Sequence, residues 1–422
     1  MDDLLAFICG PERRLILKGA GGTGKTTMIN ELIDKINTPK ECASFHAIEF
    51  IDKINTSMKS IVCAPTHNAV NVLTKAGVKN TSTLQSFLYL VMKYDEDGNR
   101  IFVPTSRTGK HNYNLVVIDE CSMINSSLFD IIEKYITCKV IYVGDSKQLP
   151  PVGEEISKVF AAGFTTIELT EQKRTTIHNE IYSRFRTAVD LQEFPMVNDE
   201  YIMSKSDMEE IIARFIKDDS IKLIAHSNRK VDEYNRFIIK SLFGDDEYYP
   251  NMRLLFKDFY TINFVPFNTN TEVIIKSVEK KDIFHPYGIK YMVYEMLIYR
   301  AEDKYKDEKN IRLFKIKQVC KQQLSQYLSM CAEKKHECAR YTKQISNKKK
   351  RGELWKQYYE YAGLFNPPIK GGYANTAYGV QGETYESVII DAENIMNTAY
   401  DAKHKCMYTA ITRGSVHIHI LM

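Results

Sequence analysis

No stretch of consecutive apolar residues in this chain approaches the roughly 20 needed to cross a bilayer, and its nine cysteines form no C-x-x-C pair. The acidic start Met1-Asp2-Asp3-Leu4 lacks the basic flank and apolar core of a secretion signal. These absences argue against a membrane-spanning protein, a disulfide-stapled secreted one and a redox-motif enzyme. A soluble intracellular chain with reduced thiols is expected. Cys331, His336 and Cys338 come nearest to a metal cluster, but their spacing does not match a usual zinc site. A strong excess of one charge is also missing, the formal balance being +4. Tryptophan occurs once, while Lys, Ile, Asn and Tyr are abundant, a bias that an AT-rich, viral genome would give. What remains is a globular composition, 44% hydrophobic over 422 residues. That length exceeds one ordinary core, so two or more domains are expected.

Several short strings follow one another along the chain. The first, GAGGTGKTT at residues 19–27, fits G-x-x-x-x-G-K-[ST]. Residues 15–18 before it read as a buried strand, and residues 27–33 after it as a helix with one apolar face. Glycines let backbone N–H groups turn inward around phosphate oxygens, and the helix N-terminus adds a positive dipole end. Gly19, Ala20, Gly21, Gly22, Thr23, Gly24, Lys25, Thr26 and Thr27 are therefore the expected cradle of a nucleoside triphosphate. Lys25 would reach the β- and γ-phosphates and the Thr26 hydroxyl would bind Mg²⁺. Residues 116–118 form an apolar strand ending in Asp119 and Glu120. Asp119 suits the metal and Glu120 a general base for the attacking water. Residues 140–143 form the next strand, ending in Gly144 and Asp145, and Gln148 beyond them suits a γ-phosphate sensor. Arg174 and Arg413 could each neutralise transition-state charge. Taken singly, these are a surface turn, solvated carboxylates and surface ion pairs. Their order along the chain argues otherwise.

The further strings APTHNAV (64–70), LTEQKRT (169–175), TAYGVQGET (376–384) and YTAITRG (408–414) complete a series that resembles superfamily 1 helicases of the RecD/Dda group, superfamily 1B. Residues 19–27 are similar to that family's motif I, 64–70 to Ia, 82–87 to Ib and 119–123 to II. Residues 144–152 are similar to III, 169–175 to IV, 376–384 to V and 408–414 to VI. DECSM and GDSKQLPPVG are the most specific matches, and residues 223–235 look like the opening of a second lobe. The resemblance implies an α/β fold of two RecA-like P-loop NTPase domains with ATP and Mg²⁺ between them. Gly382 and Glu383 would join the nucleotide site. Single-stranded DNA would cross both lobes, touched by Pro65, Thr66, Asn68 and Ser86 from the first and by His226, Ser227, Asn228 and Thr376 from the second. Superfamily 1B membership implies 5′→3′ movement by a monomer on single strands and at single-strand/duplex junctions. An RNA helicase, or a nucleotide-gated remodeller that never unwinds, are the alternatives. The chain departs from the family in three places. Residues 1–18 contain no Gln to read adenine, so several NTPs are expected to serve; Gln85 replaces a His in motif Ib; Tyr378-Gly379 replace His-Lys in motif V.

By the same resemblance, residues 1–170 form domain 1A with a 1B pin at 88–110, and 171–242 with 371–422 form domain 2A. Residues 243–370 form an inserted 2B domain, an SH3-like β-barrel with a basic helical arm at 315–360. The residues support parts of this directly. Residues 90–103 read as a hairpin turning at Gly98, with Phe102 as the candidate wedge that splits a duplex; a plain surface hairpin is the other reading. Residues 272–278 and 290–299 read as strands. Between Lys315 and Lys356 lie twelve Lys and Arg against three Glu, with helical spacing of Leu324, Tyr327, Leu328 and Cys331. That arm either faces phosphates or is simply solvated, and Trp355, Tyr358 and Tyr359 either pack at its base, the favoured reading, or stack on bases.

Overall fold

The computed structural model describes residues 1–37, 58–95, 97–173, 178–204, 208–217, 221–245, 247–398 and 402–422. Arg174 lies outside the described residues. A six-stranded sheet organises the N-terminal lobe, all parallel, in the order Thr81–Thr83, Ser60–Ala64, Leu115–Ile118, Lys139–Gly144, Arg14–Gly19, Thr165–Leu169. Ser60–Ala64 and Leu115–Ile118 are buried along their whole length, as continuous apolar runs are when helices cover both faces. Alternation splits the core in two. Leu15, Leu17, Val62 and Val117 pack with Ile29 and Leu32 on one face. Ile16, Val116, Ile118 and Tyr142 pack with Leu84 and Ile132 on the other. The register sets Lys18 beside Gly144 and Cys63 beside Ile118. The chain therefore leaves the sheet at Gly19, Ala64, Asp119 and Asp145 along one edge, where open α/β sheets bind ligands.

A second parallel sheet runs Ala374–Thr376, Lys222–Ala225, Tyr385–Asp391, Gly414–Leu421, Ile202–Met203. Helices Asn179–Leu191 and Lys403–Ile411 cover it, with Phe185, Val189, Met407 and Ile411 packed on Ile224, Val388 and Ile418. Leu149 of the first lobe is buried in this second core. Among the described residues, no helix is long and apolar enough to cross a membrane.

The third sheet is antiparallel, ordered Phe314–Val319, Lys290–Arg300, Glu272–Phe284, Arg253–Phe256, Ile369–Gly371. Buried Lys222 of the second sheet pairs with Glu272 at its edge, and Arg253 lies 3.7 Å from the same carboxylate. Burial pushes the Lys222 ammonium down to about 8. The helical arm starts later than its charge pattern suggests. Phe314, Ile316 and Gln318 point inward at every second residue, so residues 314–319 are a strand. Helices Lys321–Gln344 and Lys348–Gly363 follow.

The hairpin is Val91–Tyr94 paired with Arg100–Val103, Met92 opposite Phe102. Gly98 in its turn has φ +84°, and a Cβ there would lie 2.9 Å from the Trp355 ring. Tyr359 Oη donates to Gly98 O at 3.1 Å, and its ring stacks on Tyr94 at 4.7 Å. Arg100 pairs with Asp258 at 2.6 Å. The arm and the segment that follows strand Arg253–Phe256 thus clamp the hairpin, with Trp355 and Tyr358 buried at the contact.

Candidate nucleotide site and strand-binding face

Strand Arg14–Gly19 delivers the glycine loop and helix Lys25–Asn37 leaves it. Gly22 and Gly24 have φ of +82° and +84°, a region costly for a residue with a Cβ. A Cβ on Gly19 would meet Leu169 O at 2.9 Å. Lys25 Nζ donates to Gly19 O and Ala20 O, both at 2.8 Å, and Thr23 Oγ1 donates to Ala20 O at 2.9 Å. The ammonium thus holds the loop's own carbonyls, where phosphate oxygens could draw it outward. Thr26 and Thr27 follow in the first turn of the helix. Lys173 N donates to Gly22 O at 3.1 Å and Gln172 Nε2 to Gly21 O at 3.1 Å. Gln172 and Lys173 of the 169–175 string therefore close over the loop.

Asp119 and Glu120 leave the neighbouring strand. Asp119 N donates to Cys63 O at 2.8 Å. Glu120 has φ +51°, uncommon for a side-chain-bearing residue, and its N–H donates to Asp119 Oδ1 at 2.9 Å. Burial, then the Glu120 charge, push the Asp119 carboxyl up to about 6, while Lys25 pulls the other way. An acid raised on folding costs stability above its folded pKa, and the cost fades as pH falls toward its unfolded value near 4. Asp119→Asn keeps the acceptor for the Glu120 N–H and removes the charge. It should raise the nucleotide-free protein's stability by about 1–2 kcal/mol at pH 7.5 and much less at pH 4.5. Thermal melts in chelator at both pH values check this; equal shifts at both would mean the charge is not the cause.

Gln148 and Gln381 are buried, and the Oε1 atom of each has no hydrogen-bond partner among the described residues. Gln381 Nε2 donates to Leu149 O at 3.1 Å and to Ser122 Oγ at 3.4 Å. Unpaired buried acceptors at this edge suit a bound water or an incoming donor. The residues present therefore fit a metal–nucleotide complex: a movable ammonium, a hydroxyl, two carboxylates and two free amide oxygens.

Asp145 is the joint between lobes, a role that no spacing in the sequence marks. Arg186 Nη1 reaches its two oxygens at 2.6 and 2.7 Å, and Tyr408 Oη donates to it at 2.9 Å. Arg186 and Tyr408 stand on the two helices that cover the second sheet. Beside this joint, Leu149 N donates to Thr409 Oγ1 at 3.0 Å. Tyr408 at least belongs to a recognisable string, whereas Arg186 sits in an unremarkable helix.

Arg413 is buried in the second lobe. Its guanidinium donates to Thr409 O at 3.0 Å, Glu383 O at 2.9 Å and Thr412 Oγ1 at 2.9 Å. Thr412 lines a cleft shared with Ala20, Gly21, Gln172 and Arg186. Arg413 is thus one residue from the phosphate side while bonded within its own lobe. Gly382 has φ +80°, and a Cβ there would lie 3.7 Å from Ala69. Burial, then Glu272, raise the Glu383 carboxyl above its ordinary value.

The small polar residues sit where strands hand over to helices. Thr66, after Pro65, caps helix His67–Lys75 by accepting from Ala69 N at 3.2 Å. Ser227 caps Asn228–Phe243 by accepting from Lys230 N at 3.2 Å. Thr376 Oγ1 accepts from Gly379 N at 3.0 Å. Each hydroxyl keeps its proton to donate outward. Ser86 is exposed in the short helix Leu84–Phe87. His226 N and Ser227 N share Asn394 Oδ1 at 2.9 and 3.3 Å, and burial lowers the His226 pKa. Asn68, Lys75, Asn268, Asn270 and Arg300 line a second cleft, between helix His67–Lys75 and the third sheet. Asn375 of the second sheet ties to the third-sheet side of this cleft: its Nδ2 donates to Asn270 Oδ1 at 3.2 Å, and its Oδ1 accepts from Thr376 N at 2.9 Å. Phe102 stands apart on the hairpin, 53% exposed.

A family model described as an AAA domain matches residues 4–191. An uncharacterized protein of Acanthamoeba polyphaga mimivirus is 25% identical over 99% of this chain and 97% of its own length. The ATP-dependent DNA helicase dda of Enterobacteria phage T4 is 26% identical, over 56% of this chain and 54% of its own length. Among solved structures, Bacteroides Pif1 bound to single-stranded DNA superposes with a TM-score of 0.50 at 15% identity, covering 99% of this chain and 90% of that one. A Pif1 helicase structure concerned with unwinding at forked DNA gives 0.51 at 15%, with the same coverage. In fold, the two parallel-sheet lobes resemble the RecA-like domains of Pif1 helicases. In sequence and fold together the chain resembles superfamily 1B helicases of the Dda and Pif1 type.

Proposed function

We propose that this chain is an ATP-dependent DNA helicase of the Dda and Pif1 type. The observation that carries the reading is the Asp145 joint. A phosphate cradle lies on the cleft between two lobes, and Asp145 at the end of a neighbouring strand binds Arg186 and Tyr408 across it. Occupancy of the cradle can therefore be transmitted to the second lobe.

Mg²⁺ held by Thr26 and Asp119 would neutralise phosphate charge. Lys25 exchanges its loop carbonyls for β- and γ-phosphate oxygens. Glu120 takes the proton of the attacking water, and Gln148 orients that water. Arg174 and Arg413 steady the charge that develops on the transferred phosphoryl group. Pro65, Thr66, Asn68 and Ser86 hold the DNA backbone from domain 1A (residues 1–170). His226, Ser227, Asn228 and Thr376 hold it from domain 2A (171–242 and 371–422). Such small polar groups contact phosphate and sugar, so little base selectivity is expected. Alternating grip gives stepping, read as 5′→3′. The third sheet and the two arm helices serve as a 2B domain over 243–370, and the clamped hairpin serves as the pin.

The test is hydrolysis with and without polynucleotide. Single-stranded DNA should raise the ATPase rate severalfold, more than RNA of equal length. Stimulation by RNA alone would move the track to RNA, and stimulation by neither would favour a remodeller. A second expected result concerns the pin. Phe102→Ala should slow unwinding of tailed duplexes about tenfold, because each base-pair step costs stacking of about 1.4 kcal/mol. Its DNA-stimulated ATPase should stay within about twofold of wild type. If hydrolysis and single-strand translocation fall in step with unwinding, the hairpin is scaffold rather than wedge.

A further inference from the structure

We propose that Phe264 is a base-stacking contact for the single strand at the mouth of the second cleft, an inference that rests on the strand-tracking reading above. Strands Tyr260–Ile262 and Val265–Phe267 pair as a hairpin whose two-residue turn is Asn263-Phe264. Both turn residues have positive φ, +49° and +64°. A turn of this kind favours Asn then Gly, and a bulky residue there is an outlier. Phe264 is also 98% exposed, the highest value for a large apolar side chain among the described residues. Local backbone preference and apolar burial therefore both argue against phenylalanine at this position. Strained positions of this kind collect at ligand contacts.

The hairpin beneath the turn is anchored to the rest of the protein. Ile262 and Phe267 are buried, Tyr260 Oη donates to Gly363 O at 3.0 Å, and Arg300 Nη2 donates to Pro266 O at 2.8 Å. An aromatic ring is thus presented to solvent on a fixed mount.

Its surroundings identify the occupant. On the N-terminal side of the hairpin, Asp258 pairs with Arg100 of the Val91–Val103 hairpin. On the C-terminal side, Pro266 and Asn268 line the second cleft together with Asn68, Lys75 and Arg300. The segments flanking the turn therefore reach the element read as the pin on one side and, on the other, a cleft lined by cations and amides together with the carboxylates of Glu272, Glu302 and Glu383. A strand peeled from a duplex and drawn toward Thr66 and Thr376 passes between those two features. Lys75 and Arg300 suit its phosphates, and a ring beside them suits a base face. The partner is thus a nucleobase of a single strand, recognised without regard to sequence.

Two variants of the full chain test this. Phe264→Gly relaxes the turn, so its melting temperature should equal or exceed wild type. It should bind a fluorescent oligo-dT roughly tenfold more weakly. Phe264→Trp should show emission quenched by oligo-dT but not by an abasic strand of equal length, with buried Trp355 as a constant background. Unchanged affinity in the glycine variant, or equal quenching by the abasic strand, overturns the stacking role. A change of emission with protein concentration alone would assign Phe264 to a protein contact and also overturn it. Wild-type hydrolysis that responds to single strands keeps the helicase reading intact in those cases. Wild-type hydrolysis indifferent to them removes that reading independently of Phe264.

Discussion

Replacing Lys25 with alanine is expected to lower kcat for nucleotide hydrolysis by roughly 10³-fold or more. The ammonium is the one flexible cation inside the loop, and it already spans Gly19 O and Ala20 O. Without it, charge developing on the β- and γ-phosphates loses its cation from within the loop, leaving the backbone N–H groups, the metal and the second-lobe arginines to meet it. The fold should survive. The strand that carries the loop is buried through Leu15, Ile16 and Leu17, and Gln172 and Lys173 hold the loop from the far side. A melting temperature within a few degrees of wild type, with turnover lost, is the expected pair of results. Near-normal turnover would remove the site assignment.

Arg413→Ala is expected to lose roughly 10³-fold in kcat, with at most a few-fold change in nucleotide affinity. Its guanidinium bonds Thr409 O, Glu383 O and Thr412 Oγ1, all within the second lobe. The next side chain toward the cleft, Thr412, shares a wall with Ala20 and Gly21. A modest closure would exchange one of those internal bonds for a phosphate oxygen, so the contact would form late and count mainly in the transition state. Single-turnover hydrolysis alongside equilibrium nucleotide binding separates the cases. Collapse of affinity with kcat preserved would make Arg413 a binding residue. The loss of three internal bonds adds a stability cost of about 1–3 kcal/mol, so the variant's melt must be measured as well.

The parallel lobes are legible in the sequence because buried strands of this kind are unbroken apolar runs. Residues 15–18, 116–118 and 140–143 all land in the first sheet, each running into a functional string at the same edge. Backbone conformation is legible too, since Gly22, Gly24 and Gly98 mark positive φ. Contacts across elements are not. The bond from Asp145 to Arg186 joins residues 41 apart, and that from Asp145 to Tyr408 joins residues 263 apart. No local periodicity announces either. The clamp of Trp355 and Tyr359 on the hairpin turn is hidden for the same reason, although the aromatic cluster itself is visible. The start of the arm is misread because charge marks exposure, not helix. Residues 314–319 bear lysines on the outward positions of a strand whose alternate residues are buried.

The central claim is that hydrolysis at the Lys25 site drives separation of DNA strands. The most direct measurement is strand displacement with ATP and Mg²⁺ on DNA duplexes bearing a 5′ tail, a 3′ tail or none, with Lys25→Ala in parallel. The account predicts displacement of the 5′-tailed duplex, little on the others, and none by the variant. Robust DNA-stimulated hydrolysis with no displacement on any tail would contradict it.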